Sequence, residues 1–234
     1  MDTADERIRY AVEHTEILRL PKRSLSTFGT TNIQYYLITD PAYSEIMPGV
    51  SETVIREGRV IAEKPRIVTP YYLSRLEGFS TEARKYFDML IHVHGGSAPG
   101  LFYTYRNETK ELNIVSDNLL SVVGKLNAEL DKRGDPLVSI IKGEDELWDV
   151  SLLKFIYEMT RSSLLDNLMQ LGSQGLLDID SRGVPVDARV RIEELFQKIT
   201  SGEAEPRELR DELERWGLFK EYEDRFLSIF RRRH

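Results

Sequence analysis

The sequence contains no cysteine, and only four of its 234 residues are histidines. Without cysteine the chain has no disulfide and no thiolate nucleophile or metal ligand, so its fold depends on packing and hydrogen bonds, as a reducing compartment requires. The sequence also lacks an uninterrupted run of 18 apolar residues, and it begins with a polar, acidic stretch. We therefore expect neither a membrane-spanning helix nor a secretory signal, and we expect a cytoplasmic protein.

Motifs of known chemistry are also missing. The sequence has no Gly-x-Ser-x-Gly, no His-Glu-x-x-His, no P-loop and no dinucleotide-binding fingerprint. Each of these motifs places a nucleophile, a metal or a phosphate at a fixed spacing, and nothing in this chain has such a spacing. The sequence therefore predicts no cofactor and leans against an enzyme.

Negative charge is unevenly distributed. The first 116 residues carry 15 acidic and 14 basic side chains, and the remainder carries 24 and 18. Non-specific affinity for nucleic acid comes mainly from Lys and Arg that displace counterions from phosphates. The net charge of −7 therefore makes nucleic acid an unexpected partner.

The hydrophobic pattern changes near Asp117, and this change predicts the fold class. Before it, short runs rich in β-branched and aromatic residues indicate strands, and residues 32–40 are typical of a central strand covered on both sides. Val54-Ile55 and Val60-Ile61 around Gly58 predict a hairpin, and residues 101–106 and 111–115 predict another across 107–110. Residues 81–93 predict a helix.

After Asp117, apolar residues recur with the 3.6-residue period of helices. The pattern predicts about five helices: from Asp117 to Gly134, from Asp149 to Gly172, from Ala188 to Ile199, from Pro206 to Trp216, and a last one carrying Phe219, Tyr222, Phe226, Ile229 and Phe230. We therefore expect an α+β protein. Its first part, 1–116, has a mixed or antiparallel sheet with one or two helices, and its second part, 117–234, is all helical.

One loop combines the groups that an anion site needs. Residues 21–31 carry two cations, five hydroxyls and a glycine ahead of a predicted strand. An anionic small molecule would be bound there by Lys22, Arg23, Thr27 and Thr30, in an enzyme or a binding protein. The same hydroxyls are more typical of a connecting loop that bonds to its own backbone.

Two histidines, His92 and His94, stand at alternate positions, which in a strand would point both imidazoles toward one metal ion. The helix predicted for this stretch separates them by roughly 200° instead. No third ligand is offered nearby, so the sequence favours no metal site.

Residues 160–185 contain the end of the predicted long helix followed by Gly-Leu-Leu-Asp-Ile-Asp-Ser-Arg-Gly-Val-Pro. This stretch resembles the recognition helix and wing of a winged-helix module. The resemblance implies a DNA-binding regulator that contacts phosphates through Arg161 and Arg182. The apolar stripe runs unbroken where a helix-turn-helix needs a turn, which favours helix packing instead.

The C-terminal helices are rich in large apolar and aromatic residues, and no reaction chemistry accompanies them. Such surfaces need a partner, either within the chain or outside it. The sequence therefore predicts a non-enzymatic protein that works through contacts with another protein or with a second copy of itself.

Overall fold

A computed structural model describes residues 3–45, 51–69, 71–72, 92 and 100–231. The helices and strands in these ranges are, in chain order, α1 (Thr3–His14), β1 (Glu16–Arg19), β2 (Thr31–Thr39), a 3-10 turn (Ala42–Glu45), β3 (Thr53–Ala62), β4 (Arg66–Val68), β5 (Gly100–Phe102), β6 (Tyr105–Val115), α2 (Leu119–Arg133), β7 (Val138–Lys142), α3 (Trp148–Ser173), α4 (Val186–Ser201), α5 (Pro206–Arg215) and α6 (Phe219–Arg231). The predicted α+β class is confirmed.

The chain divides into two compact units. Unit 1 comprises residues 1–64 and 103–167, and unit 2 comprises 65–102 and 168–234. The predicted division into 1–116 and 117–234 differs from these units, because both draw on residues from each side of Asp117. The change in pattern at Asp117 comes just before α2, the first of the five helices that follow it.

Unit 1 is built on a five-stranded mixed sheet with the order β1-β7-β2-β3-β6. β7 runs parallel to β2, and the other neighbouring pairs are antiparallel. The sequence analysis did not predict β7, which lies between two helices in a region read as wholly helical. Its four buried residues, 138–141, form too short an apolar run to distinguish a strand from a helix by period.

Both faces of this sheet are covered, as predicted for residues 32–40. On one face, Tyr35 and Leu37 of β2 pack with Phe155 of α3. On the other face, Ile38 of β2 packs with Leu130 of α2. We call these the α3 side and the α2 side of the sheet.

The hairpin predicted around Gly58 is wrong, because β3 runs through it as one strand. A methyl group at Gly58 would lie 2.3 Å from the hydroxyl oxygen of Tyr35 and 2.4 Å from its ring carbon Cζ. The Tyr35 side chain crosses β3 at this point, and its hydroxyl donates to Oδ1 of Asn107 on β6 at 3.0 Å. The glycine therefore makes room for a tyrosine and does not turn the chain.

The second predicted hairpin is also wrong, because residues 107–110 lie within the continuous strand β6. Their polar side chains look like a turn in sequence, but they occupy an exposed position at the end of the sheet. The pairing with β3 shifts register between Glu57 and Gly58, which leaves Lys110 without an opposite residue. Such a bulge accommodates one extra residue without ending the strand.

Unit 2 contains the β4–β5 ladder and the helices α4, α5 and α6, together with the end of α3. The helices end where the sequence predicted: Gly202 and Gly217 take left-handed conformations, and the backbone N–H of Leu218 closes α5 by donating to Leu213. Their inward residues form one core: Val68, Tyr72, Val184, Ala188, Ile192, Leu195, Phe196, Ile199, Leu209, Leu213, Trp216, Leu218 and Phe226. The helix predicted over 81–93 lies outside the described residues, apart from His92.

Candidate functional site

A cavity of about 740 Å³ opens at the end of the sheet in unit 1. The parallel neighbours β2 and β7 both point their carboxyl ends toward it, which is where open sheets with parallel strands commonly hold ligands. Five of its eleven lining residues are acidic, and the lining consists of Glu6, Arg7, Tyr10, Asp40, Pro41, Ala42, Ser44, Glu144, Asp145, Glu146 and Leu147.

The innermost carboxylate of this cavity, Asp145, is already occupied by protein groups. It forms an ion pair with Arg56 at 2.7 Å, and it accepts hydrogen bonds from the Thr39 hydroxyl at 2.9 Å and the Ala42 backbone N–H at 3.1 Å. Burial raises the pKa of Asp145, but these three donors outweigh burial and hold it below its ordinary value. Asp145 therefore anchors the loops that follow β2 and β7.

The remaining acids of the cavity do not converge on a metal position. Glu146 pairs with Arg7 at 2.5 Å. In the part of the chain that the structure describes, no three acidic or histidine side chains come close enough together to hold an ion. The cavity thus has an acidic rim in which Asp145 and Glu146 are paired with arginines.

Unit 2 contains a buried carboxylate of its own, which the sequence analysis did not single out. Glu212 of α5 is 4% exposed. It accepts hydrogen bonds from the Tyr72 hydroxyl at 3.0 Å and from Nε1 of Trp216 at 3.2 Å, and Nε of Arg191 lies 3.5 Å away. Burial raises the pKa of Tyr72, and the charge of Glu212 raises it further. This cluster joins α4, α5 and residue 72 in the core of unit 2.

The loop predicted to bind an anion is held down by its own hydroxyl and backbone groups. Thr27 is buried, and its hydroxyl donates to Oδ1 of Asn167 at 2.9 Å. The backbone N–H of Leu25 donates to the Ser163 hydroxyl at 3.0 Å. These contacts agree with a connecting loop. Thr27 could face a ligand only if its hydrogen bond to Asn167 were broken.

The other three residues of that predicted anion site, Lys22, Arg23 and Thr30, are exposed. The backbone N–H of Lys22 donates to the carbonyl of Pro136 at 2.8 Å, which fixes the start of the loop. Anion binding by these side chains stays a prediction.

The two arginines of the winged-helix resemblance lie in different units. Arg161 is exposed on α3 in unit 1, and Arg182 in unit 2 pairs with Glu221 at 2.5 Å. α3 continues without a turn to Ser173, and the residues after it form a tight turn closed by a bridge between Ile179 and Pro185. DNA binding by this segment stays a prediction.

Of the two histidines considered as metal ligands, His92 is exposed in a helical conformation. His94 lies outside the described residues. The pair therefore stays a prediction of the sequence.

Several large apolar side chains are exposed on the α3 side of the sheet. Helix α3 has a buried and an exposed apolar face: Leu152 and Phe155 are buried, whereas Leu153, Tyr157, Leu164 and Leu165 are between 40% and 67% exposed. Leu153, Tyr157 and Leu164 fall within about 40° of one another around the helix, because each residue advances by roughly 100°. Leu165 lies about 100° further round the helix than Leu164. We call Leu153, Tyr157, Leu164 and Leu165 the outer α3 face.

Strand β6 adds two exposed apolar side chains on the same side. Leu112 lies opposite Arg56, which lies opposite Leu37, and directly opposed residues share a face of an antiparallel sheet. Leu37 belongs to the core beneath α3. By the same register Ile114 points to this side too, and the two are 56% and 53% exposed.

The aromatic residues of the last helix, which carried the sequence-based expectation of a contact surface, pack mostly within unit 2. Phe226 is buried, and Phe219, Tyr222 and Ile229 pack against the same core. Phe230 is 46% exposed. Most of the aromatic residues of this helix therefore belong to the core of unit 2, and a contact surface on it stays a prediction.

No protein-family model, no curated protein and no solved structure matches this chain. Among the described residues, no helix is both long and apolar enough to cross a membrane. The residues themselves are thus the only basis for a functional proposal.

Proposed function

We propose that this chain acts through protein contacts, with a second copy of itself as the partner, and that it does so in the cytosol. The observation that supports the proposal is the set of large apolar side chains on the α3 side of unit 1. Leu112 and Ile114 of β6 and the outer α3 face, six residues in all, are each at least 40% exposed. Single exposed leucines are ordinary, but a concentration of them on one side of a unit is typical of an interaction surface.

An enzymatic function has less support than a function in protein contacts. Two acids of the cavity, Asp145 and Glu146, are bound to arginines, and the buried carboxylate of unit 2 is enclosed by its partners. Most soluble oligomers are formed by identical chains with two-fold symmetry, so a second copy is the simplest occupant for such a surface. The absence of cysteine suits the reducing cytosol.

Sedimentation equilibrium and light scattering over a range from low micromolar to several hundred micromolar protein test this proposal. We expect the average mass of the wild type to rise with concentration toward that of a dimer. The double variant Leu153→Glu/Leu165→Glu places charge on the outer α3 face, and it should stay at the monomer mass.

Leu227→Glu is the matched control, because Leu227 is a 45% exposed helical leucine in unit 2. It should associate as the wild type does. A wild type that remains monomeric at every concentration, or a control that loses association as fully as the double variant, would contradict the proposal.

A further inference from the structure

Strand β6 ends the sheet and is its longest strand, with eleven residues. Its backbone pairs with β3 on one side. Within the residues that the structure describes, no strand pairs with its other side. The outer N–H and C=O groups of β6 are therefore available to another extended chain.

Proteins commonly protect such edges with short strands, charges or bulges, and most of this sheet follows the rule. At the opposite edge, β1 has only four residues and an irregular register. In β6, the charged residues Arg106, Glu108, Lys110 and Glu111 and the bulge at Lys110 protect the first part. Residues 112–115 have no charge, no bulge and two exposed apolar side chains.

We infer that residues 111–115 pair antiparallel with the same residues of a second copy, about a two-fold axis through Asn113. This inference rests on the proposed function and names the contact that forms the dimer. In this register Leu112 of each copy lies opposite Ile114 of the other, so that two apolar cross-strand pairs form on the α3 side. Asn113 meets its own symmetry mate.

The ends of the segment favour a second copy over an unrelated peptide. Lys110, which pairs with Glu57 at 3.2 Å, precedes it, and Asp117, which pairs with Lys125 at 2.7 Å, follows it. Antiparallel pairing about Asn113 sets Lys110 opposite Ser116 of the second copy and next to its Asp117, so opposite charges approach at both ends of the ladder. The segment is thus complementary to itself in apolar side chains and in charge.

The two-fold axis also involves the outer α3 face in the contact between the two copies. A two-fold axis through a directly opposed pair runs perpendicular to the sheet, so α3 of both copies lies on the same side of the joined sheet. A ladder of five residues alone buries less than the roughly 1,200–2,000 Å² of a stable interface. We therefore expect a weak dimer whose formation requires both β6 and the outer α3 face.

Cross-linking at Asn113 tests the pairing, because the chain has no cysteine and a variant carries a single thiol. Opposed residues in an antiparallel pair have Cα atoms about 4.5–5.5 Å apart, which suits a disulfide. Asn113→Cys should therefore form a covalent dimer under mild oxidation, at a rate that rises with protein concentration. Non-reducing electrophoresis measures it.

The control is Thr109→Cys, at an exposed position of the same strand. In the inferred register its symmetry mate lies eight positions along the strand, roughly 27 Å away at about 3.3 Å per residue. Thr109→Cys should cross-link several-fold more slowly than Asn113→Cys. Adding Leu112→Lys to Asn113→Cys should lower its cross-linking rate to that of Thr109→Cys.

The outcomes separate the two ideas. A wild type that dimerises by light scattering while Asn113→Cys and Thr109→Cys cross-link at equal rates would overturn the strand pairing and leave self-association in place. A wild type that is monomeric throughout would remove both.

Discussion

The two units differ in one buried group and in one exposed surface. Unit 2 turns the apolar faces of α4, α5 and α6 into a common core and places a carboxylate, Glu212, inside it. Unit 1 packs apolar side chains on both sides of its sheet, and leucines of α3 and β6 remain exposed to solvent. We therefore expect the buried carboxylate of unit 2 to matter for stability, and we propose that the exposed groups of unit 1 matter for association.

The largest expected effect is in unit 2. Glu212→Ala would leave the Tyr72 hydroxyl and the Trp216 N–H without their acceptor and the charge of Arg191 without this carboxylate, and breaking a buried charge pair in this way costs about 3 kcal/mol. Urea unfolding measures the loss. Glu214→Ala on the same helix is the control, because Glu214 pairs with Arg210 at a half-exposed position and its loss should cost less than about 1 kcal/mol. Equal losses in both variants would show that the buried cluster is no more important than a surface pair.

A smaller effect is expected in the sheet of unit 1. Gly58→Ala would place a methyl group against the Tyr35 ring, and forcing extra volume into a packed core costs roughly 2 kcal/mol. Gly124→Ala makes the same chemical change in α2, where nothing lies within 4 Å. It should stabilise the protein by about 0.5–1 kcal/mol, because alanine favours a helix over glycine. If thermal unfolding moves in the same direction for both variants, the close approach of Tyr35 does not explain Gly58.

The smallest effect is a pH dependence in unit 1. Because the pKa of Asp145 is lower in the folded protein than in the unfolded chain, its contribution is fully present above the unfolded pKa. That contribution is lost as pH falls through the folded pKa. Wild type should therefore lose more stability than Asp145→Asn as the pH falls from about 5 to about 3. Parallel denaturation curves for the two proteins over this range would contradict the assignment.

Sequence periodicity predicted the helices well, because each amphipathic stripe has its own stop signal. Gly134, Gly202 and Gly217 all adopt the left-handed conformation that ends a helix. The strands were harder, since polar residues in mid-strand look like turns. Gly58 and residues 107–110 suggested chain reversals, but the first makes space for Tyr35 and the second lie on an exposed edge.

The candidate surfaces could be predicted less well than the fold. Periodicity places Leu152 and Leu153 in one stripe, and only the packed sheet decides that the first is buried and the second exposed. The cluster around Glu212 could not be predicted either, because nothing within α5 indicates that Tyr72 and Arg191 lie against this residue. Such contacts join residues far apart in the chain, and a local pattern contains no information about them.

The position of β7 has a consequence for how the chain is made. β7 lies between β1 and β2 in the sheet, yet it follows them by about a hundred residues in the sequence. During synthesis on the ribosome, β1 and β2 must wait for this strand with their facing edges open, and such long-range pairings form slowly. The nascent chain is therefore most exposed to misassembly in the interval before residue 142 emerges.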